Sequence, residues 1–590
     1  MLHLLVGEDR VRLTDYLMNL ICENAAGGRE GQIFVVPEQF SHEAERRLCE
    51  LGGDTISRYA EVLSLSRMAD RVASVHGGAA AAYLDRGGRV LAMALAAEQT
   101  ASRVKLFAAV LRKPEFLAEL VQMVEEFQSY CLQPGDLLQA ASRAEGQFSQ
   151  KLEELALLYE SYLAVCDTGR ADPAERLQVL HTALVDTDWA ADRCFYFDGF
   201  TDFTGAELAV LQALMRQGQD VWVALTLGDM DLPVFRAARQ TMQSIRQLAV
   251  RYEVPVKVYP CGKHKKRASD VQTLLDVLFG SAETRYSSLG NLSFRRFDHA
   301  DEECRHAVHR VKELAAAGVR YRDITIACTD FTTYEPLLRA AMETAGVPGY
   351  YAGESDILAK PVLSAVLGAL TAASGNLDYQ EAALYLKSGL PLLEQDRCDR
   401  LDCYAYLWNI RGSQWGKEFT FHPQGFGLPW TPQDEMLLAQ LEQDRVTAME
   451  QLLQLRRSLQ RAANTGEMVL AVDRFLEQLC LRRRLQEQAQ RHMEQGRGQL
   501  AQELQQLHEI LCDALEQTYL ILGTTTRTPD DFVRLFRLLL TQYRVGTIPA
   551  GLDQVHVSSL PDLRHRRTGH LLVLERLTAA SRHIKLRKAC

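Results

Sequence analysis

Residues 1–22 read MLHLLVGEDRVRLTDYLMNLIC, and residues 32–48 read QIFVVPEQFSHEAERRL. In the first stretch a short apolar run, Leu2 to Val6, stops at Gly7 and gives way to a helical pattern through Cys22. In the second, Gln32 to Val36 stops at Pro37 and leads into a helical pattern over Glu43 to Leu51. A short apolar run closed by Gly or Pro predicts a buried strand, whereas apolar residues three and four apart predict a helix. Strand and helix alternate, and that order belongs to a parallel sheet, whose neighbouring strands are joined by crossovers.

Working outward, the text from about Leu63 to Leu184 turns helical, with 3.6-residue periodicity over Arg89–Glu98, Glu115–Tyr130 and Lys151–Val165. Alternation resumes with Cys194–Phe197 as strand, Ala206–Arg216 as helix and Asp220–Leu227 as strand. Further on, Cys304, Val308, Val311 and Ala315 share one face of a helix ending near Gly318, and DITIAC from Asp323 is a strand. Tyr379 to Thr541 is helical again, before strands at Gln554–Ser558 and His570–Leu574. The expected plan is α/β, with two parallel-sheet cores each interrupted by a helical insertion. The first core takes residues 1–62 and 186–285, around an insertion at 63–185. The second takes 286–378 and 542–574, around an insertion at 379–541, with a basic tail at 575–590.

A chain of 590 residues has room for about three to five domains. With 47% hydrophobic and 24% charged residues its composition is that of a globular protein, which excludes wholesale disorder and a fibre. A formal charge of −10 argues against coating nucleic acid by bulk attraction, so a polyanion site has to be a local basic groove. The 13 cysteines include no C-x-x-C pair, and we expect them reduced and mostly buried. No signal peptide opens the chain and no run of about 18 apolar residues could span a bilayer, which together predict a cytoplasmic protein without membrane contact.

The turn after the first strand, Gly7 to Thr14 (GEDRVRLT), is where backbone amides and a helix N-terminus would hold phosphate. Only Gly7 and Thr14 fit a working phosphate loop. Leu13 stands at the lysine position, Arg10 and Arg12 replace glycines, and Glu8 and Asp9 add negative charge. An ordinary strand-to-helix turn is the plainer explanation of the stretch. Asp198, closing the strand CFYF, is a metal or polar anchor on one reading and a turn former or helix cap on the other; Gly199 follows it where a hydrolase would place a glutamate. Thr204 and Glu207 fit a capping box. Gly228, Asp229, Asp231, Phe235 and Arg236 faintly echo a nucleotide-sensing segment, with Leu232 in place of glutamine.

The PEQF turn is the strongest candidate for contact with single-stranded nucleic acid, because Gln39 brings an amide, Phe40 a ring, and Ser41 a hydroxyl that would cap the next helix. The plainer alternative is a connection in which Phe40 packs. Arg456, Arg457 and Arg461, and the run Arg482, Arg483 and Arg484, either face phosphate or form solvated helix faces; GKHKKR at 262–267 reads as an exposed basic loop or helix start. No nucleophile, acid and base set emerges, and neither the histidines His42, His306 and His309 nor the pair Cys398 and Cys403 has metal-ligand spacing.

Taken in order, LLVG, FVVPEQFSHEAERRL, EFLAELVQMVEEFQSY (Glu115–Tyr130), KLEELALLYESY, FYFDGFTDFTGAEL (Phe195–Leu208), GVRYRDITIAC (Gly318–Cys328) and TIPAGLDQVHVSS give the chain a resemblance to the AddB family, the B subunit of the bacterial ATP-dependent helicase and deoxyribonuclease. The resemblance implies two RecA-like domains of superfamily I helicase type. It also implies a heterodimer with the AddA helicase-nuclease subunit, in which AddA is the motor and the helicase-like half of AddB holds single- and double-stranded DNA during double-strand break repair by homologous recombination. Against the family pattern, Leu13, Gly199 and Thr329, the last where a helicase arginine would stand, predict a degenerate nucleotide site of Gly7, Thr14 and Asp198, without hydrolysis of ATP with magnesium. Gln39, Phe40, Ser41, Arg482 and Arg483 are the expected DNA contacts. An active helicase with a divergent loop and a protein-binding scaffold are the alternatives. Family members continue into a nuclease domain with an iron-sulfur cluster, which is not expected here. The end of the chain is basic, and we expect it to be a disordered tail from a truncated or frameshifted reading frame.

Overall fold

The computed structural model describes residues 1–76, 83–167, 172–173, 175–228, 232–261, 270–271, 274, 290–352, 355–545, 553–561, 563 and 568–574. The basic stretch 262–267 and the tail 575–590 lie outside them. The chain forms two compact units, one of residues 1–83, 122–160 and 170–296, the other of 84–121, 161–169 and 297–590. Each carries an all-parallel sheet among helices, as two RecA-like domains do, and helix is the larger share.

In the first unit β1 (Leu2–Gly7), β2 (Gln32–Val35), β3 (Ala60–Leu63), β4 (Cys194–Phe197), β5 (Asp220–Thr226) and β6 (Val256–Pro260) form a six-stranded sheet in the order β3-β2-β4-β5-β1-β6. Its central strands are apolar at nearly every position because both faces are covered. Leu2, Leu4, Ile33, Val35, Phe195, Phe197, Val221 and Val223 face one core. Leu5, Phe34, Cys194, Tyr196, Trp222 and Ala224 face the other, against Leu13, Leu17 and Ile21 of the helix Arg10–Ala26. Each large side chain of this set contributes roughly 1.5–3 kcal/mol on burial. The helical block after β3 is not separate from this core throughout: Met68 and Val72 of the helix Leu65–His76, and Leu180 and Leu184 of Glu175–Asp186, pack on the first face.

In the second unit β7 (Ile324–Cys328), β8 (Gly349–Ala352), β11 (Val555–Ser559) and β12 (His570–Leu574) form a parallel sheet ordered β12-β7-β11-β8. The short strands β9 (Ser355–Asp356) and β10 (Arg544–Val545) form a separate antiparallel pair. The helix Ala300–Ala316 buries Cys304, Val308 and Val311 as expected, together with Ala307, but Leu314 rather than Ala315 continues the buried face and Ala315 is half-buried. Among the described residues, seven helices from Tyr379–Lys387 to Pro529–Leu540 fill the stretch read as helical. The expectation of mostly buried cysteines fails in part. Cys166, Cys194, Cys304, Cys328 and Cys398 are buried, but Cys131, Cys403, Cys480 and Cys512 are exposed. The exposed four sit on helical surfaces and turns, where nothing in the packing needs their small apolar bulk.

Candidate functional site

Parallel strands all end at the same edge of their sheet, so the turns leaving β1, β2, β3 and β4 line up along that edge. The first is short. β1 ends at Gly7 and the helix begins at Arg10, leaving Glu8 and Asp9 as the whole connection. Gly7 is required by close approach, since a Cβ there would lie 2.7 Å from the Cys261 carbonyl oxygen beyond β6. Leu13 is 1% exposed and packs into the core beneath the sheet. Asp9 is buried at the helix N-terminus, where its carboxylate meets the positive end of the dipole.

Thr14 and Asp198 come into contact, with Gly7 at the head of the same turn. Thr14 Oγ1 donates to Asp198 Oδ2 at 2.7 Å, and the Asp198 amide donates to the Val35 carbonyl at 3.0 Å. Asp198 is 5% exposed. Burial raises its pKa above the ordinary aspartate value, a rise that the Arg10 charge and the Thr14 hydroxyl oppose. Gly199 has φ +97°, a region that favours glycine, and turns the chain sharply after the aspartate. The capping box forms: the Thr204 amide donates to Glu207 Oε2 at 2.8 Å and the Glu207 amide to Thr204 Oγ1 at 3.3 Å. Just before it, Phe200 and Phe203 stack with ring centres 4.9 Å apart, both half-buried.

The PEQF turn lies one strand over. Glu38–Phe40 is a single 3-10 turn, with Gln39 exposed and Phe40 half-buried. The expected helix cap at Ser41 is not made. The helix already includes Ser41, whose buried hydroxyl donates back to the Glu38 carbonyl at 2.8 Å. With Phe40 at the N-cap position, no side chain supplies a cap. What the sequence did not reveal is Glu38, whose carboxylate accepts from the hydroxyls of Ser64, just after β3, and Ser66, in the first turn of the helix Leu65–His76, and lies 3.3 Å from Arg67 Nε. Partial burial alone would raise its pKa; the two serines and the charges of Arg67 and Arg176 outweigh that and hold the carboxyl below its usual value. The serines and arginine of SLSR (64–67) were the only signal, and they carry weight only once β3 is placed beside β2.

At the end of β5, Phe235 packs under Gly228 and Arg239 donates to the Gly228 carbonyl at 3.2 Å, while Asp229 and Asp231 lie outside the described residues. In the second unit Thr329 is exposed just past β7, its amide 3.4 Å from the Leu574 carbonyl. The basic clusters divide by role. Arg456 donates to the carbonyls of Ala372, Ala373 and Gly375, closing the C-terminus of Pro361–Ser374, and Arg484 does the same at Gly389 and Leu390. Arg483 pairs with Glu487 at 3.5 Å, and Arg482 is exposed on the same helix. Among the described residues no helix is long and apolar enough to cross a membrane, and no group of three or more His, Cys, Asp or Glu is gathered to hold a metal.

The family described as ADDB, N-terminal, matches residues 4–276. The B subunit of the ATP-dependent helicase/deoxyribonuclease of Ruminiclostridium cellulolyticum is 26% identical over 92% of this chain and 49% of its own length. The proteins of the same name from Clostridium botulinum strain Hall, 24% identical over 92% of this chain and 49% of their own, and from Desulforudis audaxviator, 27% identical over 90% and 48%, are similar too. The chain spans about half the length of the curated relatives it matches.

Proposed function

We propose that this chain, similar to the family described as ADDB, N-terminal, over residues 4–276, is the helicase-like, strand-holding subunit of a cytoplasmic helicase/deoxyribonuclease complex that processes double-strand breaks for homologous recombination, with AddA as its motor. The observation that carries this is the edge formed by the turns after β2, β3 and β4. There Gln39, Arg67 and the stacked Phe200 and Phe203 offer an amide, a cation and aromatic rings, which is what a single strand of DNA needs for backbone and base contact.

The neighbouring turn does not fit a nucleoside triphosphate. A phosphate cradle needs several glycine-rich residues and a lysine, whereas two acidic residues span this turn, and Leu13 is committed to the core. Asp9 brings negative charge to the place a phosphate would occupy. The Thr14–Asp198 pair, a magnesium-holding pair in a working hydrolase, here bonds to itself between the first helix and the end of β4 as a structural clasp.

The test is to measure both properties on the purified chain. Fluorescence anisotropy with an oligothymidylate should show salt-dependent binding that Gln39→Ala and Phe40→Ala weaken, by about 1–3 kcal/mol where a stacked base is lost. Calorimetry should show no magnesium-dependent ATP turnover. Turnover, or DNA affinity indifferent to both substitutions, would sink the reading.

A further inference from the structure

The helical block of the second unit contains an arginine groove that the strand-holding edge does not account for. The helix Pro432–Arg461 and the helix Thr465–Gln478 form a hairpin, with a cleft of about 290 Å³ between their exposed sides. Arg457 and Arg461 reach it from the first helix and Arg474 from the second. Residues four apart on a helix stand about 5–6 Å from each other at their Cβ atoms, so Arg457 and Arg461 form a row along one wall with Arg474 opposite.

Several other arginines of the block are already engaged. Arg397 pairs with Asp444, Arg445 with Glu442 and Arg483 with Glu487, while Arg456 and Arg484 are used up on helix-end carbonyls. Among the described residues none of Arg457, Arg461 and Arg474 has a carboxylate within 4.0 Å; Arg457 Nε donates to its own helix at the Leu453 carbonyl, 3.1 Å away, which leaves its terminal nitrogens toward the cleft. The amides lining the same cleft are satisfied by each other, Gln478 donating to Gln454 at 3.2 Å. Three positive charges converge without a counter-charge on a protein whose net charge is −10. Such an arrangement costs repulsion unless an anion shares the space.

We propose that this groove binds the phosphodiester backbone of a DNA strand, as a second contact besides the edge of the first sheet. Backbone rather than base is indicated by the floor: Phe475 is 1% exposed and offers no ring face for stacking, whereas guanidinium pairs readily with phosphate oxygens. The assignment rests on the DNA-binding reading above but can fail without it.

The experiment measures affinity of the full chain for a labelled oligothymidylate between about 50 and 200 mM salt. Each phosphate neutralised on a single strand contributes about 0.7 to the slope of log affinity against log salt, so Arg457→Ala, Arg461→Ala and Arg474→Ala combined should make the slope shallower by about 2. The corresponding triple lysine variant, which keeps the charge, should restore most of it. If the alanine variant is folded by circular dichroism and keeps the original slope, the groove is overturned while strand binding at the sheet edge stands. If the unaltered chain shows no salt-dependent binding at all, both readings fall. If polyglutamate displaces from the groove as readily as DNA at equal charge concentration, the occupant is an acidic protein segment and the proposal is wrong.

Discussion

Restoring a lysine at position 13 is the obvious way to ask whether the first turn is one residue short of a nucleotide site, and the packing predicts that it fails. Leu13 is surrounded by Leu5, Leu17 and Phe34, so Leu13→Lys would place an ammonium in a dry core, at a cost of several kcal/mol. We expect a lower melting temperature and no gain in ATP turnover; restored turnover at unchanged stability would mean the turn can open. Asp198 gives a second prediction, through its charge. Because burial raises its folded pKa, the stability linked to this group is complete below the ordinary aspartate value and is lost as pH rises through the folded value. At neutral pH the ionised carboxylate is therefore the less stable form in this place. Asp198→Asn, which keeps an acceptor for Thr14, should melt higher than the unaltered chain near neutral pH, with the gap closing in acid. A gap that is constant with pH, or of opposite sign, would show that the Arg10 charge outweighs burial.

Single helices also depend on identifiable contacts from outside themselves. The Pro361–Ser374 helix ends against Arg456, a cation placed on the last carbonyls at the negative end of the dipole. Hydrogen bonds from charged groups contribute about 1.5–3 kcal/mol each, and Arg456→Ala should cost the second unit an amount of that order, whereas Arg457→Ala next to it should cost almost nothing. Equal effects in a urea titration would contradict the division of roles. That division was not legible beforehand: Arg456 and Arg457 are adjacent, and only the fold tells which side of the helix meets a helix end. Strands show the same limit. β1, β2, β4, β5 and β7 could be read directly because both faces are buried and nearly every residue is apolar or β-branched. β3 and β6 border the first sheet and β8 borders the second opposite β12, whose apolar run HLLVL made it legible all the same; the sequences AEVL, VKVYP and GYYA of the other three carry a glutamate, a lysine or a glycine where one side meets solvent. Without β3 there was no reason to put Ser64, Ser66 and Arg67 beside the PEQF turn, and so Glu38 went unread.

The division of the chain into two sheet-bearing units with helical blocks was plain from alternation and periodicity, but what each helix covers was not, since an amphipathic face does not name its partner. Leu65–His76 and Glu175–Asp186 read like the helices between them, yet they close the first core, and residues 84–121 group instead with the second unit. Charge is distributed with the same economy. At −10 overall the molecule repels a polyanion, so DNA affinity has to come from a few local cations rather than from the surface as a whole. The sites identified are Arg67 at the sheet edge and the three groove arginines, four phosphate contacts if each is engaged once. At about 0.7 per phosphate on a single strand, the unaltered chain should show a salt slope of about 3. Because the Glu38 carboxylate competes for Arg67, Glu38→Gln should leave that arginine more available and steepen the slope slightly, while removal of the groove arginines flattens it. A slope several times larger would mean that many more cations take part, and binding would then belong to the basic stretches outside these two places; a slope near zero would mean that the molecule by itself does not hold DNA.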